Sequence, residues 1–369
     1  MTDFFDSQAL ASLRDHLLPG LWPLAVAFAG CALFAPVAIL LSRRAGLIAE
    51  PGGRHAHATP TPLLGGLAMY VGFAVALLIF LPHYAQGPGL LAVTGLATAI
   101  LIIDDRKAMR PLVKLGLQVL LAGLAVLVFG IKITYLGLPG GHLVQLGILI
   151  APISIFWLLG MQNTVNFLDG VDGLAAGVVL IVAVILMLAA GQLHQVEIVQ
   201  LSGALAGTCA GFLIFNFHPA RIFMGDSGAH FLGLALGAIS ILGVAKVAVA
   251  FALAAPALAL AVPIADTAWA ILRRRRDRAP VARPDRLHLH HRLQDFGLDP
   301  RQTCYVFYAA SALLGALGLT LFGHGRVLAV TLVASSVLAS TVAADLLQHA
   351  GWRIPAPFLR RLLAEPRTR

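Results

Sequence analysis

Charge is what this chain has least of. Only 12% of its 369 residues are Asp, Glu, Lys or Arg, whereas 59% are hydrophobic, and mean hydropathy is +0.87. A water-soluble domain of that length would expose far more charge, so a soluble enzyme or binding module is excluded and a polytopic membrane protein is indicated. Cysteine is scarce as well. Cys31, Cys209 and Cys304 lie in or beside apolar runs and form no C-x-x-C pair, which leaves them as free packing residues and excludes a disulfide scaffold. The opening residues carry Asp3, Asp6 and Asp15 and lack a basic start followed by a short apolar core, so a cleaved signal peptide is not expected and the first span should remain. Internal repeats and low-complexity segments are also missing.

What is there is a succession of apolar runs. Taking about 20 residues as one crossing, they predict eleven transmembrane helices near 21–42, 63–82, 88–103, 111–130, 146–165, 173–190, 196–217, 227–245, 247–271, 303–322 and 327–348. Of the 26 lysines and arginines, only Arg14, Lys132, Lys246 and Arg326 fall on one side of this pattern. The basic side faces the cytoplasm, which puts the N-terminus outside and the C-terminus in the cytoplasm. That placement accounts for the net charge of +9 and the pI near 10.1 at the membrane, with no nucleic acid partner. The expected partition is an N-terminal segment at 1–20, a single transmembrane catalytic domain at 21–348 and a basic cytoplasmic tail at 349–369. Cytoplasmic loops are expected at 43–62, 104–110, 166–172, 218–226 and 272–302. Outer loops are short except 132–147, whose Gly137, Pro139, Gly140 and Gly141 predict a small hairpin.

The same assignment brings Asp104, Asp105, Asp169, Asp172 and Asp226 to the cytoplasmic ends of spans. The stretch NTVNFLDGVDGLAAG repeats polar residues every third position, so Asn163, Asn166, Asp169 and Asp172 would share one face of a helical turn, with Gly170 and Gly173 opening the backbone beside them. Such oxygen ligands suit a hard cation or a phosphate. Asp104 and Asp105 cannot both be desolvated and ionised cheaply without a cation or base nearby, and they could accept a proton from an incoming phosphate or orient it. In MGDSG, Asp226 between open backbone amides suits a metal bridged to phosphate oxygens. Within the first cytoplasmic loop, EPGGRHAHATPTPLLGG, Arg54 and His57 could hold phosphate.

The last long loop holds RPDRLHLHHRL, where Arg283, Arg286 and Arg292 surround His288, His290 and His291 in a basic clamp for an anionic substrate. Its spacing fits an extended loop, pairing His288 with His290, or a helical turn, pairing His288 with His291; the second pair is preferred. Zinc is a competing reading, but no cysteine is near. A cation- or proton-coupled transporter would also carry intramembrane carboxylates, though near the midplane of repeated halves and not at one rim.

In this order, DDRKAMRPLVKLGLQ, NTVNFLDGVDGLAAG, FNFHPARIFMGDSG and RPDRLHLHHRL resemble the polyprenyl-phosphate N-acetylhexosamine-1-phosphate transferase family, in its WecA/TagO-like branch and more distantly MraY. The resemblance implies transfer of a sugar-1-phosphate from a UDP-sugar to undecaprenyl phosphate at the cytoplasmic face of a bacterial inner membrane, with release of UMP. The HLHH run resembles the branch using UDP-N-acetylglucosamine; another UDP-N-acetylhexosamine or UDP-MurNAc-pentapeptide is the alternative donor. Magnesium is the implied cofactor, with manganese as a substitute, and a homodimer is possible. Carried over by residue, Asp226 and Asn166 match metal positions, Asp104 and Asp105 the adjacent-aspartate pair, and Asp169 and Asp172 the nucleotide-side acids. Phe223 matches an aromatic that stacks on uracil, while Asn163, Arg54, His57, Arg286, His288 and His291 are the expected substrate contacts. Leu63 stands where many members have arginine, which shifts the first loop's phosphate contact onto Arg54 and His57. Direct attack by the lipid phosphate and a covalent aspartyl intermediate both remain open.

Overall fold

A computed structural model describes residues 7–50, 60–137, 143–245 and 300–321, with single helical positions at 269, 272 and 276. Nine helices occupy the continuous segments: α1 Ser7–Ala45, α2 Gly65–Phe80, α3 Gly87–Arg106, α4 Pro111–Gly123, α5 Ile150–Leu168, α6 Leu174–Gln192, α7 Val196–Asn216, α8 Gly225–Ala245 and α9 Pro300–Leu321. Among the described residues seven stretches are long and apolar enough to cross a membrane, so this is a polytopic helical membrane protein. The predicted spans at 247–271 and 327–348 lie outside the described residues. Two helices depart from the expected limits. α1 begins at Ser7, well before the run at 21–42, and α4 passes into a π-helical turn at Leu124–Val128.

Packing places α8 at the centre, against α2, α3, α5, α6 and α7. In its apolar window 89% of the residues are buried, against 22% in α1 and 28% in α4, whose outward Leu112, Leu115, Leu120 and Leu127 are exposed as a lipid-facing side would be. In hydrocarbon, helices gain little by hiding apolar surface from one another and must approach closely instead. The α1/α7 contact shows how. Gly203, Gly207 and Gly211 recur every fourth residue on α7 and lie against the carbonyls of Gly20, Leu24 and Phe28 of α1, where any side chain would collide. Cys31, Cys209 and Cys304 are buried thiols outside any disulfide, as expected of packing residues.

Two short antiparallel ribbons complete the described chain. β3 Tyr135–Gly137 pairs with β4 Leu143–Gln145, which is the hairpin predicted from the glycines and proline of 132–147. β1 Ile48–Ala49 pairs with β2 Thr61–Pro62 and closes the base of the first long loop. From there the chain docks on the segment preceding α8: Phe223 N–H donates to the Pro62 carbonyl at 2.8 Å, and Gly65 and Gly66 N–H donate to the Phe223 and Met224 carbonyls at 3.0 Å.

Candidate active site

The C-terminal ends of α3, α5 and α7 and the N-terminal ends of α4, α6 and α8 meet at one rim of the bundle, and all five predicted aspartates lie there. Lys114, in the first turns of α4, links two of them. Its ammonium stands 3.0 Å from Asp104 Oδ2 and 2.5 Å from Asp226 Oδ2. Asp104 is buried and also accepts Met109 N–H at 2.6 Å, whereas the Asp226 side chain is 34% exposed and opens outward.

The adjacent aspartates are split between two tasks. Asp105 turns away from Asp104 to the start of α8, accepting Asp226 N–H at 2.7 Å and Ser227 N–H at 3.3 Å. It caps from another helix the amides that a helix start leaves unpaired. Gly225 permits the approach: its φ is +69°, and a Cβ there would stand 2.6 Å from an Asp105 carboxylate oxygen.

The expectation that four polar residues share one helical face holds only in part. Asn163 and Asn166 lie on α5 and Asp169 at its C-cap, but the helix ends there, so Asp172 falls in the connecting turn, and Gly173, at φ +83°, opens α6. Asp172 Oδ2 lies 2.8 Å from His218 Nδ1 and accepts Ala220 N–H at 3.1 Å. Asn216 reinforces this junction, accepting Gly173 N–H at 3.1 Å and donating to the Ile222 carbonyl at 2.9 Å. α9 braces it from the other side, with Tyr308 donating to the Gly173 carbonyl at 2.7 Å and Cys304 to the Asp172 carbonyl at 3.2 Å.

Asp169 lies in the loop between spans, half-buried. Enclosure by protein, followed by the charges of Asp226, Asp105 and Asp172, raises its pKa well above the ordinary carboxylate value. Asp226, Asp105 and Asp172 all act on Asp169 with the same sign, a local negative excess that a cation would relieve. The side chains there that could serve as donors, Asp226, Asp169 and the Asn166 amide one turn before it, offer oxygens only, and such a set would fit magnesium better than a softer metal. Among the described residues no three His, Cys, Asp or Glu side chains form a ready-made cage, and a magnesium held by one or two carboxylates plus phosphates needs none.

Behind the acids runs an oriented polar chain. Asn163 Nδ2 donates to Gln118 Oε1 at 2.9 Å and to the Leu159 carbonyl at 2.8 Å. Gln118 Nε2 then meets His230 Nε2 at 2.7 Å, and His230 Nδ1 faces the Asp226 carbonyl at 2.9 Å. A carbonyl can only accept, so Nδ1 carries the proton and Nε2 receives the Gln118 amide. Phe223 is only 8% exposed, its backbone clamped to Pro62 and Gly65. Arg54, His57, Arg286, His288 and His291 lie outside the described residues.

Lys114, Gln118, His230 and Tyr308 are the site residues that motif reading passed over. Lys114 and Gln118 carried a usable signal, being two polar residues four apart on an otherwise apolar helix and therefore on one face.

Residues 87–244 match the description Glycosyl transferase family 4. A probable undecaprenyl-phosphate N-acetylglucosaminyl 1-phosphate transferase of Bacillus subtilis (strain 168) is 33% identical over 280 residues, covering 75% of this chain and 77% of the relative. A decaprenyl-phosphate N-acetylglucosaminephosphotransferase of Mycolicibacterium smegmatis is 36% identical over 356 residues, 87% of this chain and 86% of the relative. A phospho-N-acetylmuramoyl-pentapeptide-transferase of Moorella thermoacetica is 36% identical over 243 residues, 61% of this chain and 76% of the relative. All five aspartates, Lys114 and the Asn163–Gln118–His230 chain fall inside the matched segment, and by these likenesses the chain belongs to glycosyl transferase family 4.

Proposed function

We propose that this protein transfers N-acetylglucosamine-1-phosphate from UDP-N-acetylglucosamine to undecaprenyl phosphate, forming undecaprenyl-diphospho-N-acetylglucosamine and UMP. The observation that carries the reading is the convergence of five aspartates and Lys114 at one rim of the helical bundle, in a chain whose relatives are named for this transfer. The rim is read as cytoplasmic, in an eleven-span protein of the bacterial inner membrane with its N-terminus outside; the skew of Lys and Arg supports this orientation. Because muramoyl-pentapeptide transferases are among the relatives, UDP-MurNAc-pentapeptide is the alternative donor.

By the direct route, an oxygen of the lipid phosphate attacks the sugar-bearing phosphorus of the donor, a new diphosphate bond forms, and the bond to UMP breaks. Asp226 and Asn166, with Asp169 beside them, would hold magnesium. When bound, it neutralises the diphosphate and the charge developing on UMP. Asp104 and Lys114 stand at the end of α3 and the start of α4, where a polyprenyl phosphate in the inner leaflet would bring its head group. A carboxylate there takes up or steers the proton of the attacking phosphate. Asp105 holds the start of α8 so that Asp226 faces the site, and Asp172 ties the loop after α5 to the loop after α7. Arg54, His57, Arg286, His288 and His291 are assigned to the donor's phosphates and sugar, and Phe223 and Asn163 to its nucleotide end. Offering a panel of UDP-sugars with undecaprenyl phosphate and magnesium to the purified protein tests the assignment: UMP release with UDP-N-acetylglucosamine is expected, and release only with the pentapeptide donor would transfer the chain to the alternative.

A further inference from the structure

Lys114 is held unequally by its two carboxylates. Asp104, at 3.0 Å, has a side chain only 4% exposed and is fixed by the Met109 amide. Asp226, at 2.5 Å, is the open partner and the residue assigned to the divalent cation. An ammonium and a divalent cation answer the same negative charge there, and two cations on one carboxylate repel strongly in a partly desolvated site. We propose that Lys114 is a displaceable resident counter-ion, which occupies Asp226 in the metal-free enzyme and withdraws onto Asp104 when a divalent cation enters.

This rests on the reading of Asp226 as a metal ligand. Its consequence is a site of low intrinsic metal affinity. A substrate diphosphate offers the released ammonium a new acceptor, so metal and nucleotide-sugar enter together and the metal is not held idle. Lys114 then serves as a positioning residue for the metal ligand. A competing lysine and a purely structural one act on metal binding with opposite signs. If Lys114 only held the helices in place, removing it would loosen the site and weaken metal binding; if it competes, removing it tightens binding.

The test is direct titration of manganese into the detergent-solubilised, full-length protein without substrates, with free Mn2+ followed by electron paramagnetic resonance. Lys114→Met is expected to bind about tenfold or more tightly than wild type, while Lys114→Arg, which keeps the charge, should bind like wild type. Lys114→Met leaves Asp104 buried without its partner and could misfold. The double variant Asp104→Asn/Lys114→Met removes both charges and is expected to show the same tightening. Unchanged or weaker binding in both methionine variants overturns the proposal. Saturable binding that survives in Asp226→Asn would instead overturn the ligand assignment beneath it, so the two failures are told apart.

Discussion

Replacing Gly225 by alanine should damage the site far beyond the size of a methyl group. The residue sits at φ +69°, where a side chain costs about 1–2 kcal/mol. The new Cβ would stand 2.6 and 2.7 Å from the two Asp105 carboxylate oxygens, so the carboxylate must move. Those oxygens receive the Asp226 and Ser227 amides, and losing one bond to a charged acceptor costs about 1.5–3 kcal/mol. The sum, about 2.5–5 kcal/mol, is a large share of the ~5–15 kcal/mol that typically separates folded from unfolded protein. Activity should suffer more than stability, because Asp226 follows its own amide, and a misplacement of about 1 Å in a phosphoryl-transfer site costs roughly a hundredfold in rate. Thermal unfolding in detergent and UMP release read the two effects separately. Gly46→Ala is the control: its φ is +67°, with nothing within 4 Å of an added Cβ, so it carries the backbone cost without the collision and should keep near-normal turnover. A Gly225→Ala protein with wild-type melting and rate would refute the reasoning.

Asp169 gives a pH prediction. Its pKa is raised in the folded protein, so between the ordinary carboxylate value and the raised one the folded state binds more protons than the unfolded, and stability falls as pH rises through that window. Without divalent cations, Asp169→Asn should melt above wild type at neutral pH and with a shallower pH slope; parallel melting curves from acid to neutral pH would contradict this. His230→Leu should leave the Gln118 amide buried with an unpaired donor, costing about 1–3 kcal/mol, and adding Gln118→Leu should recover part of the loss. Additive losses in the double variant, measured by thermal unfolding, would mean that the polar chain is not a coupled unit.

The membrane class, the helix positions within the described chain and the gathering of the acids at one rim were legible because apolar length and intramembrane carboxylates are constraints that few arrangements satisfy. The division of labour within the cluster was not. Asp104 and Asp105 are neighbours in sequence, yet one turns to Lys114 and the other to the start of α8, a choice settled by which helices pack on α3. The three-residue period from Asn163 to Asp172 pointed to one shared face, and the end of α5 at Leu168, with Asp169 as its C-cap, broke it before Asp172. Lys114 counted only as a topological charge in a linear reading, since its partners lie ten residues back and over a hundred ahead. Tyr308 was invisible for the same reason: α9 reads as one more apolar span, and only its packing on α6 brings the hydroxyl to the Gly173 carbonyl.

The central claim is tested most directly by incubating the purified protein with UDP-N-acetylglucosamine, undecaprenyl phosphate and magnesium, and following both products, UMP by chromatography and the lipid by mass spectrometry. The expected result is one UMP released per undecaprenyl-diphospho-N-acetylglucosamine formed, with both lost in Asp226→Asn. Intact nucleotide-sugar and unmodified lipid phosphate with the wild-type protein, or undiminished turnover in Asp226→Asn, would contradict it.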